Sequence, residues 1–257
     1  MTLEILFVLV AAFGAGFIDA MAGGGGLIQL PALFAVFPNT PHTTLLGTGK
    51  LAGLAGTSSA IARFVRHVKI DWELVLPAAA GAFLASLAGA WIATMFSPER
   101  FRTLVPVLLA LVLVYTVLHG DLGREHRPRD YGRHGRWLAA GSAGLIGLYD
   151  GFFGPGTGSF LVFLFVRLFG LDFLHASASA KIVNASTNTA AIILFSVTGE
   201  IFWLLGLGMS ACNIAGAQFG SHLAIRRGSG LVRKVFIAVV GTLIAKTAWD
   251  ALRLYLQ

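Results

Sequence analysis

GFIDAMAGGGG, residues 16–26, and GLYDGFFGPGTG, residues 147–158, are two copies of one stretch. Sliding the chain along itself by 131 residues (150 − 19) lays Asp19 on Asp150, Lys50 on Lys181 and Arg102 on Arg233 without a gap. Gly16, Gly23 and Gly25 fall on Gly147, Gly154 and Gly156, and Trp72 falls on Trp203. Four consecutive glycines, Gly23 to Gly26, end a helix, because glycine gives up the most backbone entropy there and adopts any φ. A duplicated helix break, with an acid just before it and a lysine downstream in an apolar chain, points to a transporter core.

The composition agrees. Of 257 residues 56% are hydrophobic and only 12% charged, about half the charge of a soluble domain, and the mean hydropathy is +0.78. Apolar stretches of spanning length recur along the chain, so it reads as a polytopic membrane protein with no room for a second, soluble domain. The N-terminus lacks a basic leader and carries Glu4 as its only charge, so it reads as a first membrane segment, not a signal peptide. A single cysteine, Cys212, excludes an internal disulfide and argues against a cysteine metal site. The seven histidines form no metal set, and no cofactor is expected. The net charge of +7 reads as topology, Lys and Arg gathering in cytoplasmic loops, and no nucleic-acid partner is expected.

Apolar segments fall at 3–21, 27–37, 44–62, 72–95 and 101–119, and again at 137–150, 158–169, 177–198, 202–225 and 231–249. Residues 1–119 form one repeat, 120–136 a basic cytoplasmic linker and 137–257 the second repeat. The second and seventh segments reach only half-way across a bilayer. Each is either a crossing piece of a broken helix or one arm of a re-entrant hairpin. Basic loops at 63–69, 120–136 and 226–234 are placed inside, and the weaker loops at 97–102 and 198–200 outside, which puts both termini outside. A loop in one half then lies opposite its counterpart in the other. The expected fold is all-α, two inverted-topology repeats, each a glycine-broken or re-entrant helix pair followed by three spanning helices.

Unwound backbone in lipid must be buried in protein or line a wet cavity. The helices restarting near Leu27 and Gly158 turn free N–H groups and positive dipole ends toward such a cavity, making an anion site without a charged side chain. The candidate substrate contacts are therefore Gly23, Gly24, Gly25 and Gly26 in one half and Gly154, Gly156, Thr157 and Gly158 in the other. The plainer reading, glycines that only allow close packing as Gly81, Gly89, Gly216 and Gly220 do, stays open. Asp19 and Asp150, one turn before the breaks, either handle a coupling proton or brace the broken helix. Lys50 and Lys181 snorkel, attract an anion at an entrance, or pair with an aspartate. Asn184 and Asn188, four apart on one helix face, are the better ligand candidates; Thr57 and Ser58 either touch the ligand or pair helices.

GFIDAMAGGGGLIQLPAL, TGKLAGLAGTSSA and their second copies, YDGFFGPGTGSF and ASASAKIVNASTNTAA, resemble the TauE/SafE family, also called the toluene sulfonate uptake permeases. The resemblance spans both repeats. It implies a carrier in the bacterial or archaeal cytoplasmic membrane for sulfite, sulfonates, sulfoacetate or related small anions, and not an enzyme. The second copy departs from the pattern, with Pro155 and Thr157 among its glycines and Val162 in place of Pro31. The two half-sites are therefore expected to be chemically unequal. The expected function is secondary transport of such an anion around a midplane site, with the anion channel on the same scaffold as the alternative and an intramembrane enzyme as the remote one. Expected partners are the anion, a coupling proton or sodium ion, the bilayer, and a second copy of the chain through Gly/Ala-rich faces.

Overall fold

The structure, a computed structural model, describes residues 2–97, 128–129, 132–198 and 201–255. Among them all regular structure is helical: α1 Thr2–Ala22, α2 Gly26–Val36, α3 His42–Phe64, α4 Trp72–Thr94, α5 Gly132–Phe152, α6 Thr157–Arg167, α7 Phe173–Val197 and α8 Trp203–Tyr255. The expected segment 101–119, the loops around 98–100 and 199–200, and most of the linker lie outside the described residues.

The helices keep the 131-residue spacing. α2 and α6 start at 26 and 157, α3 and α7 at 42 and 173, α4 and α8 at 72 and 203. Both α2 and α6 have 11 residues, about 16 Å of helix. Two helix starts differ from the sequence reading. Helix α7 begins at Phe173, ahead of the expected 177, because the Asp172 carboxylate caps it, accepting from the N–H groups of Leu174 (2.8 Å) and His175 (3.0 Å). Helix α5 begins at Gly132, inside the expected linker, and its Arg136 pairs with Glu73 at the start of α4. The last two expected segments, 202–225 and 231–249, both lie within α8 and are divided where Gly228 leaves helical geometry (φ 69°, ψ −167°), in the gap expected between them.

Helix α1 packs on α8 and α4 on α5, while α3 lies against α7 and α8, and α7 against α3, α4 and α6. Under the 131-residue shift α1 becomes α5 and α4 becomes α8, so the two large pairs exchange. Both crossings are made by glycines whose missing Cβ lets backbones touch. A methyl on Gly89 or Gly147 would overlap the carbonyl of Leu148 or Ala82, and one on Gly216 or Gly220 that of Phe13 or Phe17. Gly14, with no atom within 4 Å of an added Cβ, is the control. Gly14→Ala is expected to leave the melting temperature unchanged or to raise it slightly, since alanine adds up to about 1 kcal/mol of helix propensity. Gly147→Val should lower it sharply in a thermal melt of the detergent-solubilised protein.

Polarity is arranged inside out. Leu204, Val197, Trp137 and Leu3 are 77–88% exposed, while Asp150 and Lys181 are 2% exposed. Such an apolar exterior suits lipid and not water. Among the described residues three helices, Leu3–Ala22 within α1, α4 and α7, are long and apolar enough to cross a membrane. Helix α3 is as long, but it buries Thr43, Thr44, Thr48, Lys50 and Thr57 toward the centre.

Candidate substrate site

The two breaks are built alike, with one informative difference. In the first, Gly23 (φ 74°) and Gly24 (φ 104°) take left-handed backbone; in the second, Gly154 (φ 97°) and Gly156 (φ 88°) do. Pro155 stands at the position of Gly24, and its ring holds φ near −65°. The second left-handed residue is thereby displaced one position onward, to Gly156. The breaks meet in the middle of the molecule. An ideal Cβ on Gly158 would lie 2.8 Å from Gly23 Cα, and the Ser159 hydroxyl donates to the Gly23 carbonyl at 3.1 Å.

Around this contact lies a cavity with about 70 Å³ open to the centres of water-sized molecules, several times the 10–15 Å³ or so that one water needs. Gly24, Gly25, Gly26, Gly154, Gly156, Thr157 and Gly158 line it, as do Asp19, Lys50, Thr57, Asp150, Asn184 and Asn188. At the start of α2 the Leu27 and Ile28 N–H groups donate to the Gly24 and Gly25 carbonyls (3.0 Å each), and at the start of α6 the Thr157 N–H donates to the Gly154 carbonyl (3.1 Å). Both helix starts face this space with the positive ends of their dipoles. Gly23 is set back, its φ and its close approach to Gly158 making it part of the joint between breaks. Ser58 is a correction: it is exposed on the outer side of α3, one residue and about 100° of helix turn from the lining Thr57.

The charged residues pair across the repeat. Lys50 Nζ donates to Asp150 Oδ2 at 2.7 Å, with both side chains buried (7% and 3% exposed), and reaches Asn188 Oδ1 at 3.5 Å. Lys181, whose counterpart is Lys50, turns to Asp19, whose counterpart is Asp150. The copies are not equal. Lys181 Nζ donates to the backbone carbonyl of Asp19 and stands 3.9 Å from its carboxylate. The Asp19 carboxylate instead accepts from the Gly25 N–H (3.4 Å) and the Thr57 hydroxyl (3.3 Å), which ties the break to α1 and α3. Lys181 lies behind Asp19, over the Phe64 ring, and not on the cavity wall.

Two lining residues with polar side chains escaped the sequence reading. Gln29 donates to the Gly49 carbonyl (2.7 Å) and accepts from Asn213 (2.9 Å), whose amide sits where a Cβ on Gly56 would be. Their repeat mates are Phe160 and Ala82, so self-comparison carried no signal for either. On the opposite wall Asn184 is 8% exposed and makes no side-chain hydrogen bond among the described residues. Asn188 spends only its oxygen, on Lys50, leaving its N–H donors to the cavity. A buried amide without a partner is costly unless something occupies the space it faces.

An apolar shell, half-length helices meeting head to head and a polar centre define a multi-pass helical membrane protein. The sequence profile described as Sulfite exporter TauE/SafE matches residues 8–247. The chain belongs to this family of membrane transporters. It is 34% identical over 249 residues to the probable membrane transporter protein YfcA of Escherichia coli (strain K12), covering 97% of this chain and 90% of that one. It is 36% identical over 239 residues to the probable membrane transporter protein ORF9 of Sinorhizobium sp, covering 91% and 88%. A probable membrane transporter protein of Haemophilus influenzae (strain ATCC 51907 / DSM 11121 / KW20 / Rd) is 34% identical over 250 residues, covering 96% and 95%. No solved structure matches.

Proposed function

We propose that this chain is a secondary carrier of a small anion of the sulfur oxyanion and organosulfonate class (sulfite, a sulfonate or sulfoacetate), working by alternating access around the cavity between the breaks. The observation that carries the reading is the cavity wall itself. Two helix N-termini, one lysine ammonium and the unpartnered donors of Asn184 and Asn188 converge on one small space. Each of these favours negative charge and oxygen acceptors. The family's description as a sulfite exporter supports this substrate class, and the name probable membrane transporter carried by the relatives supports transport.

We read the 131-residue spacing and the exchange of the α1–α8 and α4–α5 pairs as an inverted duplication, with a pseudo-two-fold axis in the membrane plane. The half-sites then share one cavity that opens to alternate faces. The reading sets the protein in the cytoplasmic membrane of a bacterium or archaeon, with basic loops inside and both termini outside. A proton or sodium ion drives it, and its Gly/Ala-rich outer faces are the candidate contacts for a second copy.

A thermal-shift series on the purified protein tests this. Sulfite, sulfonates and sulfoacetate should raise the melting temperature above matched chloride, the bound ligand adding about 2.7 kcal/mol of stability at 100 times Kd. A flat response to all of them would remove the substrate class. Saturable counterflow in proteoliposomes marks a carrier, and large unitary currents would mark a channel instead. Asn184→Ala should weaken anion affinity about 10- to 100-fold, the equivalent of one hydrogen bond to a charged group, with little change in the melting temperature of the empty protein. An unchanged Kd would take Asn184 out of the site.

A further inference from the structure

We propose that Asp150, and not its repeat mate Asp19, is the proton-coupling carboxylate of this carrier, and that it acts by occupying the substrate's place on Lys50. The inference rests on the anion-carrier reading above and goes beyond it in naming the coupling ion and the residue that carries it.

The two aspartates occupy equivalent places in sequence and do different work. Asp19 is held by a backbone N–H and a hydroxyl, and its lysine bonds chiefly to the backbone, so its carboxylate is built into the joint between α1, α2 and α3. Asp150 holds Lys50 at 2.7 Å in a site where both are almost wholly buried. Among the described residues that ammonium is the cation on the cavity wall, since Lys181 is set behind Asp19. An anion entering the cavity meets a lysine already taken by a carboxylate of the protein itself.

Charge balance then dictates the event. Lys50, Lys181, Asp19 and Asp150 sum to zero in the empty protein. A monoanion that takes Lys50 Nζ would leave the Asp150 carboxylate beside it, two like charges sharing one cation in a buried space. Adding one proton to Asp150, from water on the side of entry, restores neutrality. The Lys50–Asp150 contact breaks, the anion's oxygen replaces Asp150 Oδ2 on Nζ, and no covalent bond changes other than that of the proton. Release reverses both steps, so one proton travels with one monoanion.

No other titratable group among the described residues competes for this role. Helix α4, packed along α5, carries only Glu73, at the far end with Arg136. Helix α6 offers only Arg167, at its opposite end. On α7, His175 pairs with Asp172 and Lys181 with Asp19. The neighbouring Tyr149 hydroxyl donates to the Pro155 carbonyl.

The test uses methanesulfonate and isethionate, which remain monoanions throughout the working pH range and bring no proton of their own. Proton uptake on binding is read in weakly buffered detergent solution, with calorimetry in two buffers as the check. Wild type and Asp19→Asn should take up one proton per anion bound, and Asp150→Asn none. Affinity of the wild type should fall about tenfold per unit rise in pH, while that of Asp150→Asn stays flat. Should Asp150→Asn not assemble, Asp150→Glu keeps a titratable group at the same place and must retain both the uptake and the slope. Binding to wild type without proton uptake, or loss of uptake in Asp19→Asn instead, overturns the assignment while leaving the carrier intact. If wild type binds neither probe nor sulfite, the anion-carrier reading fails and takes the assignment with it.

Discussion

Lys50→Met is expected to be the most damaging single substitution in the charged centre, and more damaging than Lys181→Met. Removing the Lys50 ammonium leaves the Asp150 carboxylate, 3% exposed, without its counter-ion, and a buried ion that loses its partner costs about 3–5 kcal/mol. The readout is the fraction of monodisperse protein after extraction and its melting temperature. Lys181→Met should cost less, because the Asp19 carboxylate keeps the Gly25 N–H and the Thr57 hydroxyl. The double change Lys50→Met with Asp150→Asn should recover most of the stability, since it removes both charges, yet bind no anion. A Lys181→Met protein that melts below Lys50→Met would show that the unequal geometry of the pairs has been read the wrong way round.

The second large effect is expected at the joint. A methyl on Gly158 would stand 2.8 Å from Gly23 Cα and 3.1 Å from Gly24 N, backbone atoms that have no rotamer to escape into. Overpacking of this kind costs about 1–3 kcal/mol, and here the strain falls on the two helix starts that frame the cavity. Gly158→Ala should therefore depress anion affinity by about 5- to 150-fold, reading that range through 1.4 kcal/mol per tenfold. Gly26→Ala is the matched control. The nearest atom to its Cβ is Pro155 Cα at 3.4 Å, and a Cβ there favours the helix. Equal losses in the two variants would mean that the glycine cluster is needed for backbone freedom alone and not for the close approach.

Much of this architecture is legible in the sequence, for identifiable reasons. Glycine runs and a fixed spacing are local signals, so both breaks, both half-length helices and their partners fell where the repeat put them. The outcome for the lysines was not legible. A lysine early in an apolar helix reads the same whether it snorkels, waits at an entrance or pairs with an acid, and only the fold brings residues 50 and 150 together. Ser58 misled because a polar run says nothing of which face each member takes. Gln29 and Asn213 were invisible for the opposite reason. A residue found in one copy only gives no echo, and a lone amide in an apolar helix is more often a packing partner than a wall of a site. The departure at Pro155 has a local form in the structure, the left-handed glycine displaced one position onward to Gly156.

The crossed pairing of charges also sets a timetable for biogenesis. Lys50 and Asp150 are 100 residues apart, and Lys181 and Asp19 are 162 apart. Translation at about 5–20 residues per second brings Lys50 to the membrane some 5–20 seconds before its counter-ion exists, and Asp19 waits longer still for Lys181. Throughout that interval the first half holds a buried-to-be cation and anion that it cannot neutralise with the partners of the finished fold. Neither half is thus a unit of assembly. The centre of the molecule is the last part to close, and a chain arrested between the two copies presents the membrane with unmatched charge.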